Sequence, residues 1–140
     1  MAITIEQTEE YLKKNISRII DEINFLSGIQ NTKHYYTIPD TPGVTSYKKK
    51  LQLRIDTLFT IKTQLLDAIS KIENPDYRVL LEMKYLSNWS VVKISREMNY
   101  SPRNLAYIRN KAIAELSKHL DRQIVITTNC NAQEKKYHRK

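Results

Sequence analysis

The chain has 140 residues, a formal net charge of +8, 41% hydrophobic and 27% charged residues, two glycines and four prolines. That length supports one globular domain, or a small domain with an appendage, around a buried core, and the composition excludes wholesale disorder and a glycine-rich barrel or sandwich. No apolar run approaches the ~18 residues that span a bilayer, and Met1-Ala2-Ile3-Thr4-Ile5-Glu6 lacks the basic-then-apolar pattern of a secretory signal, so the expectation is a cytoplasmic protein with no membrane contact.

Thr4 and Gln7 form a capping-box pair ahead of a periodic segment. Ile5, Leu12, Ile19 and Leu26 recur at heptad spacing, with Ile16 and Ile23 on the second seam. This predicts a helix from about Ile5 to Ser27, stopped at Gly28. A long polar connection follows, from about Ile29 to Thr45, punctuated by Pro39, Asp40, Pro42 and Gly43. Within it, His34-Tyr35-Tyr36 reads as two tyrosines packed over a helix end. A second helix is predicted from about Ser46 to Glu73. Its stripe is Leu51, Leu58, Leu65 and Ile72, seconded by Ile55 and Ile69 and broken once by Lys62. Lys48-Lys49-Lys50 at its start reads as a solvated face. Two such stripes predict an antiparallel helical hairpin over residues 1–73, with coiled-coil character and a homodimer as the expected outcome.

Asn74-Pro75 pairs an N-cap residue with proline in the first helical position. It predicts a helix from Pro75 to about Leu86, a break at Ser87-Asn88-Trp89, and a helix from Val91 to Met98 capped by Ser90. A tight turn at Asn99-Tyr100 and a second cap-then-proline pair, Ser101-Pro102, open a last helix to about Leu120. Residues 121–140 are expected to form a basic, flexible, partly disordered tail. In it Ile124-Val125-Ile126-Thr127-Thr128 is β-prone, able to add a strand or dock on the hairpin. The fold class expected is therefore all-α: a hairpin, a three-helix unit over 74–120, and the tail.

The chain offers little chemistry of the enzymatic kind. Cys130 is the only cysteine, which rules out an internal disulfide and a multi-thiolate zinc site. His34, His119 and His138 make no ligand-spaced pair. Gly28 and Gly43, the only glycines, build no phosphate-cradling loop, and no serine or cysteine sits in a nucleophile elbow. The expectation is a non-enzyme with no catalytic residue, metal or cofactor. Charge points elsewhere. Residues 1–45 carry four Lys/Arg against six Asp/Glu, whereas residues 74–120 carry eight against four. Positive potential over the later part of the chain suggests a polyanion partner, nucleic acid first.

Ser90 to Ala112 fits a helix-turn-helix. Ile94 stands at the helix crossing, Ser95 is the small residue at the contact, and Met98 closes the first helix. Asn99 stands where the turn wants positive φ, Tyr100 plugs the core, and Leu105 and Ile108 face inward. Tyr77-Arg78-Val79-Leu80-Leu81-Glu82-Met83-Lys84-Tyr85-Leu86, Trp89-Ser90-Val91-Val92-Lys93-Ile94-Ser95, Met98-Asn99-Tyr100-Ser101 and Ala112-Ile113-Ala114-Glu115-Leu116 together resemble region 4 of bacterial sigma factors. With a helical N-terminal part, the chain is similar to small phage and prophage late-gene regulators of the ArpU and RinA type. The specific likeness covers about residues 74–120.

That resemblance implies a transcription regulator that binds double-stranded DNA with a recognition helix starting at Pro102. Arg103, Asn104, Ala106, Tyr107 and Asn110 would face the bases. Ser101, Lys93, Arg96, Arg109 and Lys111 would meet phosphates. Sigma factors carry arginines where this chain has Asn104 and Ala106, which points to an operator other than a promoter −35 element. Host RNA polymerase is a further expected partner. Two rivals share the composition: the small subunit of a phage terminase, which usually places its DNA-binding motif first, and a polymerase- or sigma-binding protein that leaves DNA alone.

Overall fold

The structure, a computed structural model, describes residues 3–137, with side chains through Cys130. Every regular element among the described residues is helical, and they contain no strand. The elements are α1 (Ile5–Glu10), a π-helical segment Tyr11–Ile16, α2 (Ser17–Gln30), α3 (Lys33–Thr37), α4 (Pro42–Ser70), α5 (Pro75–Leu81), a second π-helical segment Glu82–Leu86, α6 (Val91–Met98), α7 (Pro102–Ser117) and α8 (Arg122–Tyr137). None of these helices is long and apolar enough to cross a membrane.

α1 opens on the capping box: the Gln7 amide donates to Thr4 Oγ1 at 3.1 Å and the Thr4 amide to Gln7 Oε1 at 3.0 Å. The chain then runs helically to Gln30, through Gly28, which is not a stop. The π-helical segment is what the heptad reading missed. Each π turn takes up an extra residue, so the seam shifts phase across it. Leu12, Ile16, Ile19 and Ile23 are buried as the spacing predicts, whereas Ile5 is 47% exposed and Ile3, Thr8 and Tyr11 take the inner face before the shift.

The predicted 29–45 connection is shorter than the sequence suggested. Its middle coils into α3, capped by Thr32, and α4 begins early because Thr41 caps it and Pro42 fills its first position. On α4 the stripe Leu51, Ile55, Leu58, Leu65 and Ile69 is buried, continued by Ile72 beyond its end. Lys62, the seam breaker, is half-buried and holds its ammonium 5.6 Å from the Phe59 ring. α2 and α4 pack on each other. They are fastened by a bidentate pair, Arg54 Nε and Nη2 donating to Glu22 Oε1 and Oε2 at 2.8 and 2.9 Å, which raises the guanidinium's pKa further. At a third exposed, this pair contributes on the order of 1 kcal/mol or less.

Past α4 the chain turns at Asn74, whose side chain accepts from the Asp76 amide at 2.9 Å, and Arg78 donates back to the Ile72 and Glu73 carbonyls. The main core joins residues far apart in sequence. Leu12 and Ile16, Leu58, Leu65 and Ile69 from α4, Leu81, and Ile113 and Leu116 from α7 form one cluster with Val125 of α8. A smaller cluster, Leu80, Ile94 and Leu105 with Trp89, Met98 and Tyr100 against it, holds α5, α6 and α7 together.

The tail departs most from its sequence reading. Ile124-Val125-Ile126-Thr127-Thr128 is helical and lies inside α8, so of the two expected outcomes it adds no strand and docks on the N-terminal helix. The Ile124 amide donates to the Asp121 carboxylate at 3.2 Å, and Val125 and Asn129, four apart, lie on one buried face. Packing on α1 and the first π-helical segment overrides β-propensity, which is a weak, context-dependent preference. Residues 138–140, with His138 and the end of the basic run, lie outside the described residues.

Asn15 and Asn129 lie buried in that joint: Asn15 Nδ2 donates to Asn129 Oδ1, and Asn129 Nδ2 to the Gln7 carbonyl at 3.4 Å. Asn129→Ala strands a buried amide and is expected to destabilise the fold by about 1–3 kcal/mol in urea titrations. Asn15→Leu combined with Asn129→Leu, which removes both partners, is expected to recover most of that loss. Tyr11 is also buried, and desolvation pushes its phenol from 10.0 to about 12. The neutral form is favoured in the folded state, so the contribution is intact below the unfolded value and lost as pH rises from 10 towards 12. Wild type is therefore expected to lose about 2 kcal/mol more stability than Tyr11→Phe between neutral pH and pH ~12.

Candidate nucleic-acid interface

The unit from Ser90 to Ser117 is built by two caps and one left-handed residue. Ser90 accepts from the Lys93 amide at 3.1 Å and starts α6. Asn99 ends it at φ 58, ψ 36, the positive φ that its place in the sequence predicts. The Tyr100 amide then donates to the Ser95 carbonyl at 3.2 Å, and the Ser95 hydroxyl donates to the Tyr100 carbonyl. Ser101 accepts from the Asn104 amide at 3.2 Å and starts α7 with Pro102 in its first turn. The Tyr100 hydroxyl donates to Asp76 Oδ2 at 2.7 Å, a bond that raises its pKa and ties the turn to the start of α5.

With Leu105, Ala112, Ile113 and Leu116 turned inward, the opposite side of α7 is open. Arg103, Tyr107 and Asn110, spaced i, i+4 and i+7, share the outermost stripe. Asn104 and Ala106 flank it, and all five are exposed. Tyr107 is 62% exposed, and the Lys111 ammonium lies 4.5 Å from its ring. The Tyr107 hydroxyl raises the Lys111 pKa, so this lysine stays charged. Among the described residues Arg103 has no hydrogen bond or ion pair, and its guanidinium reaches solvent unengaged.

The cations expected at phosphates divide. Lys93 and Arg96 are exposed on α6, with the Lys93 ammonium 4.0 Å over the Trp89 ring. Ser101 is exposed, but its oxygen already serves as a cap. Arg109 is only half-exposed and reaches Tyr85 Oη at 3.4 Å and Asn110 Oδ1 at 3.3 Å, so it braces α7 as much as it faces outward.

Lys84, from the second π-helical segment, is a cation the sequence reading passed over. It lines a cavity of about 90 Å³ with Ala106, Arg109, Val91 and Pro102. No spacing along α7 could reveal it, because it arrives from another helix.

The chain thus presents an all-helical fold with one helix supported on its inner face and open, basic and polar on its outer face. Residues 44–117, just over half of the 140-residue chain, match the family described as Protein of unknown function (DUF1492), and the chain belongs to that family. The match runs from the first turn of α4 to the last residue of α7. Neither the curated proteins nor the solved structures gave a match.

The turn at Asn99 is testable on its own. Asn99→Gly is expected to hold or slightly raise the melting temperature, because glycine adopts positive φ freely. Asn99→Val is expected to lower stability by at least about 1–2 kcal/mol, the left-handed penalty that a β-branched side chain meets in full.

Proposed function

We propose that the protein is a transcription regulator of phage or prophage origin that binds double-stranded DNA in a sequence-specific manner, of the ArpU/RinA kind. In this reading α6 and α7 act as a helix-turn-helix similar to region 4 of sigma factors, with α7 in the major groove. The observation that carries the reading is the exposed stripe Arg103, Tyr107 and Asn110 on a helix whose other side is fixed in two cores. Arg103 is the residue to read guanine, Asn104 to read adenine, and Ala106 to meet a thymine methyl, with Asn110 deeper along the groove. Tyr107 and Lys111, held together, would lie along the sugar–phosphate wall. Lys93 and Arg96 from α6, Arg109, and the helix start at Ser101 would meet phosphates.

The N-terminal helices would hold a homodimer that presents two recognition helices to half-sites about 34–36 Å apart. Phe25 and Leu53, 69% and 66% exposed on α2 and α4, are apolar groups that such a contact would cover. A second reading, a polymerase- or sigma-binding protein, draws on the modest charge of Asn104, Ala106 and Tyr107.

Fluorescence anisotropy on random and phage-derived duplexes, at low and physiological salt, separates the two. Wild type is expected to bind with a steep salt dependence and to prefer some duplexes. Arg103→Ala should remove about 1–3 kcal/mol of that preference, and Lys93→Ala should weaken all duplexes alike. Absence of duplex binding at low salt, with capture of a purified polymerase subunit, would overturn the DNA reading.

A further inference from the structure

We propose that the end of the α2–α4 pair around α3 is a second nucleic-acid surface, one that takes a single strand by stacking bases on tyrosines beside a lysine cluster. The proposal does not rest on the duplex reading of α7. Residues 31–50 carry four lysines against one aspartate, and three tyrosines fall in the same stretch. The fold brings these together from either side of the Pro39 turn. The Lys48 ammonium lies 4.7 Å over the Tyr35 ring, and Tyr36 meets Tyr35 edge-on with centroids 5.4 Å apart. Tyr36 is 71% and Tyr47 53% exposed, and Lys33, Lys49 and Lys50 are exposed in the same stretch.

Between α3 and the start of α4 lies a cavity of about 240 Å³. Ile29, Ile38 and Val44 line it together with Tyr35, Tyr47 and Lys48, and Thr32 and His34 complete it. A cavity lined by aliphatic side chains, two tyrosines and a lysine suits a flat heterocycle attached to a phosphate. Base–aromatic stacking in a basic groove is the general means of holding single strands without sequence preference.

Duplex DNA buries its base faces and offers the tyrosines nothing to stack on. A second copy of this chain would bring the same excess of lysine against itself at α3, so charge keeps this surface outside the dimer contact proposed over Phe25 and Leu53. The surface is also remote from α7. At 1.5 Å per residue, Lys48 and the C-terminal end of α4 at Ser70 are roughly 30 Å apart. α7 packs instead on α1 and α5.

The test is anisotropy with a fluorescent oligo-thymidine of about twelve nucleotides, within the usual site size for such surfaces. Wild type is expected to bind it at low salt and to lose affinity as salt rises. Tyr36→Ala is expected to weaken binding about tenfold and Tyr36→Phe to restore it. The combined variant K48A/K49A/K50A should weaken binding about tenfold or more and flatten the salt slope. All these side chains are solvent-facing or half-exposed, so far-UV circular dichroism and the melting temperature should match wild type. Arg103→Ala should leave the oligo-thymidine affinity within about twofold while removing duplex preference, which separates failure of this proposal from failure of the duplex reading. The proposal is overturned if wild type does not bind the oligonucleotide at low salt. It is also overturned if Tyr36→Ala binds as wild type does, or if polyglutamate competes as well as oligo-thymidine, which would mark a surface for any polyanion.

Discussion

Asn15 and Asn129, 114 residues apart in sequence, meet side chain to side chain inside the protein, and the placing of everything else depends on the joint they occupy. Around them Leu12 and Ile16 from the N-terminal helix pack with Ile113 and Leu116 of α7 and Val125 of α8. Burial of each such aliphatic side chain is worth roughly 1.5–3 kcal/mol, so the apolar contacts supply the stability. The amide pair supplies register: its groups are satisfied only when the two helices meet at one axial position, and a slip would strand them in the core.

The π-helical segment Tyr11–Ile16 belongs to the same joint. It turns Tyr11, Leu12, Asn15 and Ile16 inward. Successive parts of the N-terminal helix meet different partners: α1 packs on α7, α1 and the π-helical segment on α8, and α2 on α4. The consequence reaches α7, whose inner side is held by the main core near its end and by the small cluster around Ile94 and Leu105 near its start. A helix fixed at both ends holds its outer stripe in one orientation, which reading a surface requires.

The two basic surfaces differ in chemistry as well as in position. On α7 the exposed groups are an unengaged arginine, two amides and a tyrosine braced by a lysine, arranged along one rigid helix. Around α3 the lysines are more numerous, Tyr36 and Tyr47 stand in the open, and the backbone is a five-residue helix between turns. In the proposed roles, the first would hydrogen-bond to the edges of paired bases and the second would stack on unpaired ones. The polar, slightly acidic α1–α2 stretch precedes both in the sequence.

Much was written locally. The caps at Thr4, Asn74, Ser90 and Ser101, the proline starts of α5 and α7, the left-handed Asn99 and the buried stripe of α4 follow from short-range rules, because each depends on residues within one or two turns. The exposed stripe Arg103, Tyr107 and Asn110 was legible for the same reason, being the complement of Leu105 and Ile108. By itself, then, the sequence determined the all-helical class, most helix starts and the open face of α7. Only the tertiary structure decided the phase shift after Ile5, the helical state of Ile124–Thr128, the inward turn of Arg109, the arrival of Lys84 beside α7 and the meeting of Lys48 with Tyr35. Each of these depends on a partner distant in sequence or on a packing gain that outweighs local propensity, and neither is written in the spacing of neighbouring residues.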